Sequence, residues 1–292
     1  MTYEENNFYR TNSIFIISLS AVSAADNTTI KTNDHTDNIK TDDITINLEK
    51  TSQSENNDGY KTYEEFKKAI ETSKEGDTIK LGSNIKLKDT LNIKTNKITI
   101  DGQGHTIDGD EDYRIFYIPA NYVTIQNLKL IDGDCDEGAA IYADKYLTVK
   151  KCEFTNNKAS DRGGAIYCGT ITCNNCTFEN NKAKKYAGAI YINDKEVSTI
   201  KNSKFINNTS PFNGGAINID DTSAHVVIKN NSFKGNTVDK DGEGSIIYNY
   251  GHFDKISNNY YGTNNPDWKN ALYEHKYFGL DVEHRDSNHV RL

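Results

Sequence analysis

The apolar positions of this chain first follow a helical spacing and then give way to short, strand-like runs. Tyr63, Phe66 and Ile70 recur at the spacing that places side chains on one face of an α-helix. Thr62 and Glu65 have the spacing of a capping box, in which the two side chains bond free backbone N–H groups at the start of a helix. We therefore predict a short amphipathic helix over residues 63–72, placed to cover the open end of the strands that follow.

Short β-branched runs separated by Gly, Asn and Asp follow this helix. The first six are residues 78–81, 84–87, 91–93, 97–100, 106–107 and 122–125. Each run is bounded by turn residues and is too short to form a helix. The pattern predicts an all-β fold from about residue 78 onward.

A two-part repeat indicates how these strands are arranged. The first part has the form Phe-x-x-Asn, recurs at intervals of 24, 27 and 28 residues, and begins at Phe154, Phe178, Phe205 and Phe233. The second part is Gly-Gly-Ala-Ile or a close variant, begins at Gly163, Ala187, Gly214 and Glu243, and has an earlier copy at residues 137–141 with one residue inserted. Self-similarity at such a period is typical of stacked coils. We predict a right-handed, single-stranded parallel β-helix of about seven coils between residues 79 and 262, with a short N-terminal capping helix.

The repeated residues have structural roles in such a coil. Each Phe is expected to point inward and stack on the Phe of the next coil, since neighbouring strands lie about 4.8 Å apart. The closing Asn is expected to adopt a positive φ at a turn and to form an amide ladder, and the Gly to permit a bend. The residues assigned these roles are Phe154, Asn157, Phe178, Asn181, Phe205, Asn208, Phe233, Asn236, Gly164, Gly188, Gly215 and Gly244.

Composition agrees with a solenoid and excludes one class of partner. Hydrophobic residues make up 35% of the chain and its mean hydropathy is −0.75, which fits coils that bury only a thin line of side chains. The net charge of −8 argues against nucleic acid, because phosphate binding needs a basic face. The five Cys lie within about forty residues and include one CxxC, but they lack the spacing of a zinc site. We interpret them as small stacked residues, with a bond between adjacent coils left open.

Four regions follow from these patterns. Residues 1–25 contain a short apolar run that ends in small residues, and we expect a secretory signal peptide and an extracellular or cell-surface location. Residues 26–58 are polar and predict a disordered linker. Residues 59–268 form the predicted β-helix, and residues 269–292 a short tail. No transmembrane segment is expected in the mature chain.

The alternation of Gly-Gly-Ala-Ile with Phe-x-x-Asn resembles the repeat of chlamydial polymorphic outer-membrane proteins. The chain is more similar to the adhesin-like, Asn/Thr-rich surface proteins of methanogenic archaea. Residues 75–79 resemble the way the β-helix of those proteins begins, and residues 258–268 resemble the segment that ends it. The resemblance covers residues 60–268 and implies a pectate-lyase-like solenoid at a cell surface. It implies little about activity, because fold does not determine function.

Two groups of side chains are candidates for binding. Alignment of the coils places four tyrosines, Tyr117, Tyr142, Tyr167 and Tyr191, at one outward position. They could form an aromatic strip that binds sugar faces, or they could only stabilise the sheet surface. The motif Ile-Asp-Gly-Asp also recurs, which would stack two pairs of carboxylates from successive coils, Asp108 and Asp110 with Asp132 and Asp134. Such oxygen-rich turns suit Ca²⁺, the one cofactor that the sequence suggests, although solvated Asp-Gly turns are commoner.

The sequence favours catalysis less than binding. Arg114 and Arg162 lie near the acidic turns and could serve a polysaccharide lyase, whereas Asp220 and Asp221 would face opposite ways on a strand. We name no catalytic residue. The sequence favours an adhesin-like protein that presents a β-helix face to extracellular glycans or other cells. The alternatives are a carbohydrate-active β-helix enzyme and a structural component of the envelope.

Overall fold

A computed structural model describes residues 58–222, 224–260 and 272–274 of the 292-residue chain. The expected signal peptide, nearly all of the expected linker and most of the expected tail lie outside the described residues. The predicted helix is present as α1, Tyr63–Glu71, and its capping box forms between Thr62 and Glu65. Its apolar face, Tyr63, Phe66 and Ile70, is buried.

The strands are short because each coil must turn every few residues. In the first half of the β-helix they are β1 (Thr78–Lys80), β2 (Ile85–Lys86), β3 (Leu91–Asn92), β4 (Thr99–Asp101), β5 (Thr106–Asp108), β6 (Phe116–Ile118), β7 (Val123–Gln126), β8 (Lys129–Ile131), β9 (Asp134–Glu137), β10 (Ile141–Lys150), β11 (Glu153–Thr155) and β12 (Lys158–Arg162). In the second half they are β13 (Ile166–Asn174), β14 (Thr177–Glu179), β15 (Lys182–Ala183), β16 (Ile190–Ile192), β17 (Ser198–Lys201), β18 (Lys204–Ile206), β19 (Ile217–Ile219), β20 (His225–Lys229), β21 (Ser232–Lys234), β22 (Ile247–Asn249), β23 (His252–Ser257) and β24 (Leu272–Glu274).

Parallel pairing between successive coils gives the β-helix three faces. The first face contains β3, β6, β16, β19, β22 and β24, together with the first residues of β10 and β13. The second face contains β1, β4, β7, β17, β20 and β23, together with the last residues of β10 and β13. Because β10 and β13 run around the corner, these two faces belong to one 14-stranded sheet. The third face is β2-β5-β8-β11-β14-β18-β21, one strand for each of seven coils, and β9, β12 and β15 form a small sheet between the third and first faces along the chain. The predicted fold is confirmed.

The inward Phe residues stack along the third face. The ring centroids of Phe154 and Phe178 are 4.6 Å apart, those of Phe178 and Phe205 4.8 Å, and those of Phe205 and Phe233 4.9 Å. All four side chains are fully buried. The regular recurrence of Phe in the sequence therefore corresponds to a stack of rings in the core.

A buried amide ladder runs beside the Phe stack. Asn157, Asn181 and Asn208 each donate from Nδ2 to Oδ1 of the Asn in the next coil, at 2.9, 2.9 and 2.8 Å, and the last acceptor is Asn236. The same Oδ1 atoms accept backbone N–H groups at 3.0–3.1 Å. These four coils are thus tied to one another by bonds that the buried amides could not make with water.

The turn itself is made by a different residue from the one predicted. We expected the closing Asn of each Phe-x-x-Asn to adopt a positive φ, but the preceding residue does so. These residues are Asn156 (φ 59°), Asn180 (57°), Asn207 (53°) and Gly235 (66°). The expectation was wrong because a side chain that must point inward to the ladder cannot also occupy the left-handed turn position.

The glycines have two separate functions in the Gly-Gly-Ala-Ile block. At Gly164, Gly188 and Gly215 an added Cβ would overlap a backbone carbonyl oxygen of the next coil, so only Gly allows the coils to approach. The residue before each of these has a positive φ, as in Gly163 (63°) and Gly214 (67°).

In two copies of this block, the strand pairing differs by one residue from the alignment predicted from the sequence. Ile247, rather than Ile246, pairs with Ile217, so Gly244 (φ 60°) belongs with the left-handed residues and not with Gly164, Gly188 and Gly215. Ile141 pairs with Ile166, so the copy at residues 138–141 needs no insertion. The predicted alignment of both copies rested on residue type alone, whereas the pairing of the strands determines which residues are equivalent.

The cysteines of the repeat are small core residues. Cys152 and Cys176 occupy a buried column that continues as Ser203, Asn231 and Asn259. All five Cys are free thiols in this structure. Burial raises the pKa of Cys152 well above the usual value, which keeps this thiol protonated at neutral pH.

Candidate functional site

The four tyrosines predicted to align do form one column on the outer side of the first face. Tyr117, Tyr142, Tyr167 and Tyr191 are paired in register from β6 to β10, β13 and β16. Successive ring centroids are 5.5, 4.8 and 5.2 Å apart, with interplanar angles of 28°, 2° and 11°. We call these residues the tyrosine column. Strand alternation explains it, because the flanking Ile and Phe point into the core.

The column is less exposed than a binding strip would require. Tyr191 is 1% exposed and Tyr167 is 8% exposed, and both pack against Ala187 in the turn before β16. Tyr117 and Tyr142 are half-buried. The expectation of four solvent-facing rings was wrong for Tyr167 and Tyr191, because a neighbouring turn folds over them. Stacking also occupies the ring faces, so a sugar could reach only ring edges along most of the column.

Two arginines cover the column from outside. The guanidinium of Arg114 lies 5.8 and 5.0 Å from the ring centroids of Tyr117 and Tyr142, and that of Arg162 lies 5.4 and 5.1 Å from those of Tyr167 and Tyr191. Each guanidinium is thus within about 6 Å of two successive ring centroids and lies beside the stack, where the rings and the cation are in contact range. Arg114 also contacts Asp136, with an Nη2–Oδ1 distance of 2.5 Å. The sequence nominated both arginines but gave no sign that each lies beside two successive tyrosines.

Arg162 is also the centre of a polar chain that crosses four coils. Its Nη2 lies 2.5 Å from Oε1 of Glu137, and its Nη1 donates to the hydroxyl of Tyr191 at 3.3 Å. Tyr191 in turn donates its hydroxyl to Oδ2 of Asp220. We call Glu137, Arg162, Tyr191 and Asp220 the cross-coil chain. Burial, with the hydrogen bond to Asp220, raises the pKa of Tyr191, so its hydroxyl keeps its proton at neutral pH.

The two acidic turns do not stack as predicted. Ile107 pairs with Leu130 and Asp108 pairs with Ile131, so the register is one residue away from the alignment of the two Ile-Asp-Gly-Asp motifs. Asp108 therefore does not lie above Asp132. The prediction was wrong because the second motif is offset by one residue from the strand register, and sequence identity alone does not show the offset.

The remaining two carboxylates of these turns, Asp110 and Asp134, have different surroundings. Asp110 lies 2.5 Å from Nζ of Lys86. Asp134 begins β9 and pairs in register with Lys158, and burial raises the pKa of its carboxyl. Within the described ranges, no group of three or more His, Cys, Asp or Glu side chains is placed to hold a metal ion.

A second, smaller aromatic group was not singled out from the sequence. Tyr122 and Tyr146 stack at the corner between the first and second faces, with ring centroids 4.9 Å apart and an interplanar angle of 15°. We call them the corner pair. Tyr122 is 53% exposed. A signal was present, since each Tyr directly precedes an alternating strand, at Val123 and at Leu147.

Fold and outer surface together define a parallel β-helix protein with an aromatic and charged strip along one side. The chain belongs to the right-handed β-helix family: the family model described as "Right handed beta helix region" matches residues 89–265, which is more than half of the sequence. No curated protein and no solved structure shows a significant match to the chain. In the part of the chain that the structure describes, no helix reaches the length and apolar character that a bilayer crossing requires.

Proposed function

We propose that this chain is an adhesin-like, secreted or cell-surface protein that presents the side of its β-helix to extracellular glycans. One observation carries the proposal. The accessible aromatic and charged side chains follow one another along the axis, one per coil, from Tyr117 to Tyr142 and from Tyr122 to Tyr146. Groups that follow the axis suit an elongated ligand, whereas a catalytic centre gathers its groups around one bond.

The chemistry of this strip suits carbohydrate. Tyr117 and Tyr142 are half-buried and carry hydroxyl groups, and Arg114, whose side chain is 15% exposed, contacts the carboxylate of Asp136, whose side chain is 71% exposed. Sugars have apolar C–H faces and many hydroxyls, so they bind to surfaces that combine aromatic area with hydrogen-bonding groups. The surface location rests on the apolar run near the N-terminus and on the repeat, and it is part of the proposal.

A glycan array probed with the purified full chain tests this function. We expect binding above background to at least one class of glycan. The variant Tyr260→Ala, which removes a tyrosine that is 42% exposed beside β21 on the third face, should bind the same glycans equally well. Failure of both proteins to bind any glycan would contradict the proposal and favour a structural role in the envelope.

A specific observation also supports a second candidate, a carbohydrate-active enzyme. The cross-coil chain places the carboxylates of Glu137 and Asp220 on either side of Arg162 and Tyr191. Enzymes that cleave glycosidic bonds use paired carboxylates. This candidate predicts new reducing ends or unsaturated products from polysaccharides that the chain binds, and their loss in Asp220→Asn. If bound polysaccharides yield neither product, the enzyme candidate is wrong.

A further inference from the structure

Tyr122 is held in a hydrogen-bonded turn that repeats in the preceding coil. Lys97 and Tyr122 are equivalent residues, with φ values of 55° and 58°. The backbone N–H of Lys97 donates to the carbonyl of Asn121 at 2.9 Å, and the N–H of Asn121 donates to Oδ1 of Asn96 at 2.8 Å. The position of the Tyr122 ring is therefore set by the backbone of two coils and does not depend on a mobile loop.

One face of the Tyr122 ring is not stacked on another aromatic ring of the described residues. The other face is stacked on Tyr146, yet 53% of Tyr122 is exposed. The ring edges, and the face that Tyr146 does not cover, are therefore the surfaces that a ligand could contact. This differs from the tyrosine column, in which Tyr142 and Tyr167 are stacked on both faces.

Lys97, the residue before Tyr122 in the same column, belongs to a pair of opposite charges. Nζ of Lys97 is 2.7 Å from Oε1 of Glu75, and these side chains are 59% and 56% exposed. Because the pair is solvated, its atoms can exchange water for the hydroxyl groups of a ligand at little cost. The ammonium can donate and the carboxylate can accept, and the pair has no net charge. This combination suits a neutral polyhydroxylated ligand better than an anionic one.

Folding does not explain why a tyrosine is at this position. Asn serves most often where these coils need a positive φ, including Asn127, Asn175, Asn202 and Asn230, because its short polar side chain tolerates that conformation. A bulky aromatic residue at a positive φ is strained, and Tyr122 is the only aromatic residue among the described ones with such a φ. Its ring also contributes little to the core, since most of it is exposed. Strain at an exposed, rigidly held ring points to binding.

We propose that Tyr122 is the anchoring subsite for a neutral pyranose unit of an extracellular glycan. The apolar face of the sugar stacks on the open face of Tyr122, and its hydroxyls bond to Lys97 and Glu75. Tyr146 acts as a positioning residue, because its ring fixes the plane of Tyr122. This inference rests on the proposed glycan-binding function and names both the subsite and the class of sugar.

Isothermal titration of the full chain tests the subsite, with cellohexaose and mannohexaose as neutral probes and hexagalacturonate as the acidic comparison. We expect the wild type to bind at least one neutral probe more tightly than the acidic one. The variant Tyr122→Asn should bind that probe at least tenfold more weakly. The matched control Tyr122→Phe keeps the ring and the strained backbone, and it should stay within about threefold of the wild type.

Thermal unfolding of the same variants separates binding from folding. Tyr122→Asn relieves strain, so its midpoint should equal or exceed that of the wild type. A lower midpoint would assign the ring a structural role and overturn the inference, as would equal binding by Tyr122→Asn and the wild type, or a preference for hexagalacturonate. If the array shows glycan binding but neither neutral probe binds, the subsite is wrong and the proposed function stands. If no glycan binds at all, both are wrong.

Discussion

Asn181→Asp is expected to lower the free energy of unfolding by roughly 3–5 kcal/mol at pH 7, the cost of an uncompensated charge in a buried site. The change replaces one NH₂ group by oxygen. The Nδ2 of Asn181 donates to the carbonyl of Phe154 at 3.0 Å and to Oδ1 of Asn208 at 2.9 Å, and the side chain is fully buried. In the variant these two acceptors would face a third oxygen, and a carboxylate would be enclosed without a cation. Chemical denaturation measures the loss.

The pH dependence of this loss identifies its cause. Burial raises the pKa of a carboxyl group in the folded state above its value of about 3.9 in the unfolded chain. Between these two pKa values the folded state binds more protons, so the unfolding free energy of Asn181→Asp falls, relative to the wild type, as pH rises. The difference from the wild type should therefore shrink as the pH is lowered from 7 toward about 4.

The adjacent residue provides the control for this variant. Asn180 is exposed and has a φ of 57°, a conformation that Asp also tolerates. Asn180→Asp makes the same chemical change one residue away and should alter the unfolding free energy by only about 0.5 kcal/mol. Equal effects of the two variants would contradict the assignment of the amide ladder to Asn181.

Phe178→Ala is expected to cost about 3–5 kcal/mol of unfolding free energy, as is usual when a buried aromatic ring is removed. Phe178 is a middle ring of the stack, with neighbours at 4.6 and 4.8 Å, and it is completely buried. Its removal leaves a cavity that the coils cannot close, because the amide ladder and strand pairing fix the distance between them. The same denaturation measurement applies.

Phe212→Ala is the matched control for the ring stack. Phe212 is 49% exposed and its contact with Tyr186 is tilted, at 5.7 Å between centroids. Its loss should cost at most about 1 kcal/mol. If Phe178→Ala is no more destabilising than Phe212→Ala, the Phe stack does not hold the coils together.

The repeat made the fold predictable because the repeated residues are the ones that pack between neighbouring coils. Phe154 and Phe178 recur because rings must stack at the strand spacing, and Asn157 and Asn181 recur because buried amides must pair. These constraints act at the same place in each coil, so they leave a periodic pattern. The helix was equally predictable, since its capping box and apolar face are local.

The candidate site was only partly predictable because it depends on register and on turns outside the repeat. The repeat gave the alignment of Tyr142 and Tyr167, but not the turn at Ala187 that buries Tyr167 and Tyr191. A shift of one residue separated Asp108 from Asp132. Turns differ in length from coil to coil, so neither result follows from periodicity.

Tyr122 was overlooked for a related reason. It lies at a corner and does not recur beyond Tyr146, since Lys97 precedes it and Thr170 follows Tyr146 in the same column. Residues that recur in every coil serve the fold, which all coils share. A binding subsite needs only a few coils, so its residues are those that interrupt the periodic pattern.

Hydrogen–deuterium exchange of the full chain, with and without the glycan that the array retains most strongly, shows which face of the β-helix the ligand contacts. We predict slower exchange in peptides that cover residues 95–124 and 142–148, where the corner pair and the accessible part of the tyrosine column lie. Peptides on the third face should exchange equally in both states. Protection confined to residues 186–193 and 217–222, around Tyr191 and Asp220, would contradict the account and place the ligand at the cross-coil chain.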